Sequence, residues 1–447
     1  MKKTLMDDHE LLEVLDETTS LDPDLYKKYS VKQGLRNEDG TGVLVGITRI
    51  SGVFGYEYLD GKKVPSPGRL LYRGIPLEDL VQGIYDEGRL GYEEVAFLLL
   101  FGKLPTRTQL GEAMNTMTQL CTLPKDFKED VFFKIPCQTL MNKLQRVVLT
   151  LYSYDPNPDD TSIENSLLQA YSLLAKMPLL VAYSYRAKLH YFDDKSLIIH
   201  QPVPGAHVAE NLLHMIRDDS RFEPWEAKLL DLCLIVQADH GGGNNSTFTT
   251  HVISSTGTDT YSAISAAIGS LKGPKHGGAN AKVLAMIEDI KKNCKWKNPE
   301  SLRFYLRRIL EGEAFDHSGL IYGMGHAVYT LSDPRTELLK EAARSVVAYV
   351  NMENELELRE NIEKISQELM VEMFGPEKKV CANVDMYTGL VYHILKIPDD
   401  LDTPIFALAR LAGWCAHRLE QLQDKKIMRP AYVSLGENHA YVPLSQR

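Results

Sequence analysis

The sequence predicts a mainly α-helical (all-α) protein with one small β region near its beginning. Three observations lead to this fold class. Apolar residues recur at helical spacing through most of the chain, strand-like composition is confined to residues 39–74, and no regular alternation of strands and helices occurs. The chain has 447 residues, of which 44% are hydrophobic and 25% charged, as in an ordinary globular protein.

The predicted elements follow in chain order. Residues 39–74 mix β-branched residues with glycines, which is typical of short strands joined by turns. Residues 223–238 and 259–271 carry apolar residues three or four positions apart, which predicts two helices. Residues 359–374 continue this pattern and stop at Gly375, the residue type that most often follows a helix.

The last predicted helix covers residues 403–422. Thr403 is the expected N-cap, and Pro404 fits the first helical turn. Arg410 lies off the apolar stripe of this helix, in line with Trp414 and His417, so its side chain can face a cavity.

Charge and cysteine content exclude several classes of protein. The net charge is −10 without a basic run, so a nucleic-acid partner is not expected. The six cysteines are scattered without a C-x-x-C pair, which favours reduced thiols inside the cell. The beginning of the chain does not resemble a secretory signal, and no apolar run is long enough to cross a bilayer. We therefore expect a cytoplasmic protein without a membrane partner.

Three of the thirteen histidines lie among glycines at predicted helix breaks. His240 lies in ADHGGGNNSTFT, His276 in GPKHGGAN and His326 in YGMGHAVYTLSDPR. From this pattern alone, a structural role as helix caps and a functional role both stay open. The chain has no H-E-x-x-H motif and no histidine pair at i, i+4, so we expect no metal site.

Asp385 lies between apolar and aromatic residues in CANVDMYTGLVYHIL. A carboxylate in such surroundings is paired with a cation, caps a helix, or is held basic for proton abstraction. A helix beginning just after Asp385 would favour the capping role. The residues alone do not decide between these three roles.

Together these stretches resemble the signature blocks of the citrate synthase family. GPKHGGAN, GMGHAVY…DPR and NVDMYTG occur in the family's order and at its spacing. Three further stretches are similar to family blocks: GRLLYRGIPLEDLV, ADHGGGNNSTFT and RLAGWCAHRLEQ…KIMRP. The resemblance extends from about residue 40 to residue 432.

The resemblance implies a fold of two helical domains. Residues 1–276 and 386–447 would form the large domain, and residues 277–385 a small domain that closes over the site. It also implies an acyltransferase that condenses acetyl-CoA with oxaloacetate and water to give citrate and CoA. No cofactor or metal is expected, and the family pattern implies a homodimer with shared active sites.

The resemblance also assigns roles to single residues. Asp385 matches the catalytic base, His276 the donor to the thioester oxygen, and His326 the donor to the ketone of oxaloacetate. The positions that match oxaloacetate ligands are His240, Arg335, Arg410 and Arg429. Guanidinium groups suit this task because they stay charged and bind a carboxylate through two parallel hydrogen bonds. In the family, the last arginine typically comes from the partner subunit.

Three positions depart from the family pattern. Gln237 stands where another histidine is common, Thr330 where a basic residue is common, and Lys275 where leucine is common. These differences put one oxaloacetate contact and one CoA phosphate contact in doubt. Two other functions stay open: a 2-methylcitrate synthase that uses propionyl-CoA, and a non-catalytic helical scaffold or binding protein. A metal-dependent enzyme would lose activity in chelator, which we do not expect.

Overall fold

The structure, a computed structural model, describes residues 9–60, 62–436 and 438–446. The chain forms two compact units. One comprises the residues up to Val45 together with those from Met428 onward, and the other comprises Gly46–Ile427. The predicted division at residues 276/277 and 385/386 is a different one and stays a prediction.

In the part of the first unit that the structure describes, the regular elements are short helices. They are α1 (His9–Thr19), α2 (Asp24–Lys28) and the 3₁₀ turns Gln33–Leu35 and Leu444–Gln446. Its described side chains are mostly exposed, and Arg429 is among the exposed ones.

The second unit begins with a three-stranded antiparallel sheet in the order β1-β2-β3. The strands are β1 (Ser51–Leu59), β2 (Lys62–Tyr72) and β3 (Ile75–Pro76). Alternate residues of the second half of β2 are buried, among them Leu70 and Tyr72, so one face of this strand packs on the core. The predicted β region at 39–74 therefore contains the first two strands, and a mainly helical fold with a small sheet is confirmed.

The remaining elements of the second unit are helices. The α-helices are α3 (Leu77–Asp86), α4 (Tyr92–Phe101), α5 (Arg107–Leu120), α6 (Leu140–Thr150), α7 (Ile163–Phe192), α8 (Val208–Ile216), α9 (Pro224–Gln237), α10 (Asn245–Ser254), α11 (Thr260–Lys272), α12 (Ala279–Asn293), α13 (Pro299–Leu310), α14 (Pro334–Val346), α15 (Glu353–Phe374), α16 (Val384–Ile394) and α17 (Asp402–Gln423). A π-helical segment covers Lys128–Phe133, and 3₁₀ turns cover Leu151–Tyr154 and Asp399–Leu401.

Helix α17 lies at the centre of the core. It packs against α4, α7, α9, α10 and α11, and most of its side chains are buried. Because the helix is enclosed on all sides, its polar residues Arg410, His417 and Arg418 are also buried. The helix therefore carries charged groups into the interior, where they must find partners or a ligand.

The predicted helices agree with the structure except at one start. The patterns at 223–238, 259–271 and 359–374 correspond to α9, α11 and the later part of α15. Gly375 follows α15 with a φ of +98°. The prediction of Thr403 as an N-cap is wrong, because a 3₁₀ turn leads directly into α17 at Asp402. The Thr403 hydroxyl donates instead to the backbone oxygen of Gly277 at 3.2 Å.

The six cysteines are all free thiols. None of the helices in the described ranges combines the length and apolar character needed to span a bilayer.

Candidate active site

His240 and His326 lie ring against ring. His240 follows α9 and is buried, and its ring stands perpendicular to that of His326 with centroids 5.1 Å apart. The Nε2 atom of His240 is buried without a hydrogen-bond partner. Burial, followed by the positive charge of Arg335, lowers the pKa of His240 well below its usual value. The ring is therefore uncharged at neutral pH and can hydrogen-bond a ligand.

His326 is held in one tautomer. Its Nδ1 accepts the backbone N–H groups of Val328 and Tyr329, both at 3.0 Å. Since Nδ1 accepts, the proton of the neutral ring lies on Nε2. The Tyr329 ring stacks on the imidazole with centroids 4.5 Å apart and fixes its plane. His326 can therefore donate a hydrogen bond from Nε2 in a set direction.

His276 lies in a tight turn between α11 and α12. A Cβ atom at Gly277 would lie 2.6 Å from the backbone oxygen of Leu271, and one at Gly278 would lie 2.9 Å from Cα of Pro274. Neither glycine has a positive φ. Glycine is thus required here because the turn packs against itself, and not because of an unusual backbone conformation.

The orientation of the His276 ring depends on a serine. His276 Nε2 lies 3.1 Å from Oγ of Ser246, which also accepts the indole N–H of Trp414 at 3.1 Å. The hydroxyl has one hydrogen, and Asn244 Oδ1, 2.9 Å away, competes for it. When Ser246 donates to Nε2, the ring proton of His276 lies on Nδ1 and can serve a ligand. Burial, followed by the charge of Arg410, lowers the pKa of His276 to about 4.

The carboxylate of Asp385 does not cap a helix. Helix α16 begins at Val384, and its N-cap is Asn383, whose Oδ1 accepts the Asp385 backbone N–H at 3.1 Å. No hydrogen bond to the carboxylate is found among the described residues. Burial raises the pKa of Asp385 to about 6, and the positive charges of Arg335 and Arg410 oppose this rise. Asp385 is thus mostly ionised at pH 7 and basic enough to accept a proton.

Two buried guanidiniums keep donors free. Asp333, the N-cap of α14, accepts from Arg335 Nε at 3.0 Å and from Nη2 at 2.6 Å, which leaves Nη1. Arg410 donates from Nε to the backbone oxygen of Gln237 at 2.7 Å, and its Nη1 and Nη2 are buried without partners. Burial lowers the pKa of Arg410 to about 10, so it stays charged at neutral pH. Both groups can therefore bind an anion.

Six of the predicted site residues come together in the second unit. The charges of Arg335 and Arg410 act on both Asp385 and His240, while His276 and His326 also face His240. The seventh, Arg429, lies in the first unit. The roles assigned to these residues stay predictions.

The three residues that depart from the family pattern differ in what surrounds their side chains. The side chain of Gln237 bonds Thr388 Oγ1 at 3.3 Å and accepts from Tyr392 Oη at 3.4 Å, so it is occupied within the protein. Lys275 is exposed, and the hydroxyl of Thr330 is buried without a partner.

A buried polar chain was missed by sequence reasoning. Asp239 accepts hydrogen bonds from the Ser51 hydroxyl and, at 2.9 Å, from the Gly241 N–H, and His417 Nε2 lies 3.3 Å from it. Burial favours the neutral acid, but His417 and Arg410 outweigh it and hold the pKa of Asp239 below its ordinary value. Asp239 directly precedes His240, so this chain fixes the backbone that carries that ring. The sequence could have indicated this chain, because Asp239 lies in ADHGGGNNSTFT and His417 in RLAGWCAHRLEQ.

One group of side chains in the described ranges could hold a metal ion: His251, His417 and Glu420, whose ligand atoms lie within 4.8 Å of one another. His251 Nε2 lies 3.0 Å from His417 Nδ1, and His251 Nδ1 lies 2.8 Å from Gln421 Oε1. Gln421 Nε2 is buried without a partner. Exchanging the amide O and N positions lets Gln421 donate to His251, His251 to His417, and His417 to Asp239. Both histidines are therefore hydrogen-bonded without an ion, whereas Oε2 of Glu420 is buried without a partner.

The residues from 39 to 431 match the family described as "Citrate synthase, C-terminal domain". The chain belongs to the citrate synthase family. It is 34% identical to a citrate synthase of Synechocystis sp. over 420 residues, which cover 93% of this chain and 94% of that protein. It is 33% identical to 2-methylcitrate synthase 1 of Corynebacterium glutamicum, with 86% and 94% covered.

A solved structure of a family member has the same fold. The crystal structure of citrate synthase from Pyrobaculum aerophilum matches with a TM-score of 0.73 at 31% identity, and the match covers 91% of this chain and 94% of that one. Membership of the citrate synthase family makes the chain an enzyme of the acyltransferase type.

Proposed function

We propose that the protein condenses acetyl-CoA with oxaloacetate and hydrolyses the product thioester, releasing citrate and CoA. The observation that carries this proposal is one cluster that holds an ionised Asp385, uncharged His240 and His276 rings, and the free donors of Arg335 and Arg410. Family membership at 33–34% identity to curated relatives supports it.

The first step is proton abstraction from the methyl group of the thioester. This group is a very weak acid, so the enzyme must supply a base and stabilise the enolate. Asp385 takes the proton, and the electron pair of the C–H bond moves toward the thioester oxygen. His276 donates a hydrogen bond to that oxygen from Nδ1, and its low pKa keeps the ring a neutral donor.

The second step forms the carbon–carbon bond. The enolate carbon attacks the ketone carbon of oxaloacetate, while His326 donates from Nε2 to the ketone oxygen and hands over its proton. Arg335, Arg410 and Arg429 bind the two carboxylates, and His240 provides a further hydrogen bond. Water then attacks the thioester carbonyl, the C–S bond breaks, and CoA leaves. The proton held by Asp385 and the two protons of the water restore His326, convert the CoA thiolate to the thiol and leave one proton to solvent.

A second candidate is condensation of propionyl-CoA, favoured by the similarity to a 2-methylcitrate synthase. Thiol release from acetyl-CoA and from propionyl-CoA, each with oxaloacetate, decides between the two. We expect a higher kcat/KM with acetyl-CoA. An equal or higher value with propionyl-CoA would favour the second candidate, and no release from either would favour a non-catalytic scaffold.

We also propose a cytoplasmic homodimer that acts in the tricarboxylic acid cycle and completes each active site with Arg429 from the partner subunit. Light scattering of the purified protein gives the mass of the assembly, for which we expect twice the 50.4 kDa chain. Mixing Asp385→Asn and Arg429→Gln proteins tests the shared site. The mixture should regain activity that neither variant has alone, whereas no recovery would contradict sharing.

A further inference from the structure

Asp402 and Asn280 form a buried polar pair that the mechanism above does not use. Asp402 is the first residue of α17, Asn280 lies in the first turn of α12, and each is 5% exposed. Asn280 Nδ2 donates to Asp402 Oδ2 at 2.5 Å. The other oxygen of each group, Asp402 Oδ1 and Asn280 Oδ1, is buried without a hydrogen-bond partner.

The two unpaired oxygens, Asp402 Oδ1 and Asn280 Oδ1, can bond each other only if one more hydrogen is present. A carboxylate and an amide oxygen can only accept, so an ionised Asp402 leaves two buried acceptors unpaired, which is costly. A proton on Asp402 supplies the missing donor, which the oxygen of Asn280 can accept. Reversing the amide of Asn280 does not remove this need, because the amide oxygen would then face the carboxylate.

The surroundings also oppose a negative charge on Asp402. No basic side chain pairs with it among the described residues, and Lys188 is bound to Asp400 and Asp193 instead. The titratable groups that face it are Asp399 and Asp400 of the preceding turn, Asp385 and Tyr392 of α16, and Cys233 of α9. Burial, followed by these neighbouring carboxylates, raises the pKa of Asp402 to about 8.

The pair lies next to the turn that carries His276. Asn280 follows His276 by four residues, and the Thr403 hydroxyl contacts the backbone oxygen of Gly277 at 3.2 Å. The first two residues of α17 thus contact both ends of this segment: Thr403 bonds Gly277, and Asp402 bonds Asn280. Gly389 of α16 leaves room for the amide, since a Cβ there would lie 3.0 Å from Asn280 Oδ1.

We propose that Asp402 is a positioning residue that holds the His276 turn against α17 as an uncharged acid paired with the amide of Asn280. Loss of its proton places a negative oxygen against the Asn280 oxygen and adds a charge near Asp385, which loosens the turn. The effect on catalysis rests on the proposed function, through the role of His276. The proton on Asp402 does not, so it is measured separately.

Infrared spectroscopy of the whole protein detects this proton. The wild type minus Asp402→Asn difference spectrum at pH 6 should contain the C=O stretch of one protonated carboxylic acid. This band should disappear as the pH rises past about 8. A difference spectrum that shows only an ionised carboxylate at pH 6 would overturn the proposal.

Thermal unfolding gives an independent test. Between about pH 3.8, the ordinary pKa of an aspartate, and about pH 8, folded Asp402 keeps a proton that the unfolded chain has lost. Its contribution to stability therefore falls as the pH rises through this window. The Tm of Asp402→Asn, which keeps a donor toward Asn280, should exceed the wild-type Tm by a margin that grows from pH 4 to 8. A margin independent of pH would contradict the proposal.

Asp399→Asn is the matched control. It removes a neighbouring negative charge that raises the Asp402 pKa. The infrared band of protonated Asp402 should therefore disappear at a lower pH in this variant than in the wild type. An unmoved or raised transition would contradict the assignment to Asp402.

The kcat of Asp402 variants tests whether Asp402 positions the His276 turn. Asp402→Leu, which cannot bond Asn280, should lower kcat more than tenfold at pH 7, whereas the KM for oxaloacetate should stay within twofold. Asp402→Asn should recover most of this kcat and lose the alkaline decline of the wild type. Equal losses in both variants would overturn the role. If the wild type itself releases no thiol, the proposed function fails, while the infrared and unfolding results still decide the state of Asp402.

Discussion

Arg410 donates its Nε–H to the backbone oxygen of Gln237 at 2.7 Å, while its Nη1 and Nη2 are buried without partners. A buried cation with unpaired donors destabilises a protein unless a ligand completes it. The neighbouring Arg335 is also cationic, so the position suits a substrate with two carboxylates. Arg410 is thus fixed to the end of α9 through Nε, while its other two nitrogens can bind the substrate.

Arg410→Gln should weaken oxaloacetate binding without unfolding the protein. The loss of two charge-assisted hydrogen bonds should raise the KM for oxaloacetate by about 100-fold, and the Tm should stay equal or rise. Arg418→Gln is the matched control. Arg418 is as deeply buried, but each of its three guanidinium nitrogens donates to a partner, namely Thr260, Ser254 and Thr258, so its loss should lower the Tm. A falling Tm for Arg410→Gln with an unchanged KM would contradict this account.

Asp385→Asn should make the protein more stable at neutral pH. Burial raises the pKa of Asp385 from 3.8 to about 6, so the folded state is penalised wherever the carboxylate must ionise. The gain should be about 1–3 kcal/mol at pH 7, shrink below pH 6 and vanish near pH 4. Chemical denaturation across this range measures it. The exposed Asp424, at the end of α17, provides a control whose Asn variant should not change stability. An Asp385→Asn protein that is less stable than the wild type at pH 7 would contradict a carboxylate whose ionised form is disfavoured by burial.

Ser246→Ala should lower kcat by about 5-fold, because a hydrogen bond worth about 1 kcal/mol favours the His276 tautomer that donates from Nδ1. The KM for oxaloacetate should change little. Ser184→Ala removes another buried hydroxyl, one that bonds only the backbone of its own helix, and should leave kcat unchanged. Equal effects of the two substitutions would indicate a general packing defect instead.

Chelator treatment should leave activity unchanged. Once the Gln421 amide is reversed, His251 and His417 use both of their ring nitrogens in hydrogen bonds, so neither keeps a free lone pair for a metal. Elemental analysis of the purified protein should find less than one bound transition metal per chain. A stoichiometric metal whose removal lowers activity would show that this group is a metal site.

Local patterns were sufficient for the helical fold, whereas the site residues came from the resemblance to the family, and their roles stay predictions. Helical spacing predicts α9 and α11. Among the glycine-flanked histidines, His240 follows α9 and His276 lies between α11 and α12, but His326 lies within the long segment that connects α13 to α14 and not at a helix end. The true cap of α16 was also within reach, since Asn383 lies two residues before Asp385.

Contacts between distant segments could not be predicted from spacing. The Asp239–His417 contact joins residues that lie 178 positions apart, and the Asn280–Asp402 pair spans 122. The low pKa of His276 also depends on distant segments, because burial is its larger cause, followed by the charge of Arg410. Burial is set by the packing of the whole core, which no single motif encodes.

The most direct test of the account is thiol release from acetyl-CoA with oxaloacetate, measured on wild type and Asp385→Asn alongside protection against thermal unfolding by oxaloacetate. We expect the substitution to lower kcat by about 10²–10⁴-fold while oxaloacetate raises the Tm of both proteins equally. An Asp385→Asn protein that binds oxaloacetate and keeps most of its turnover would show that another group removes the proton.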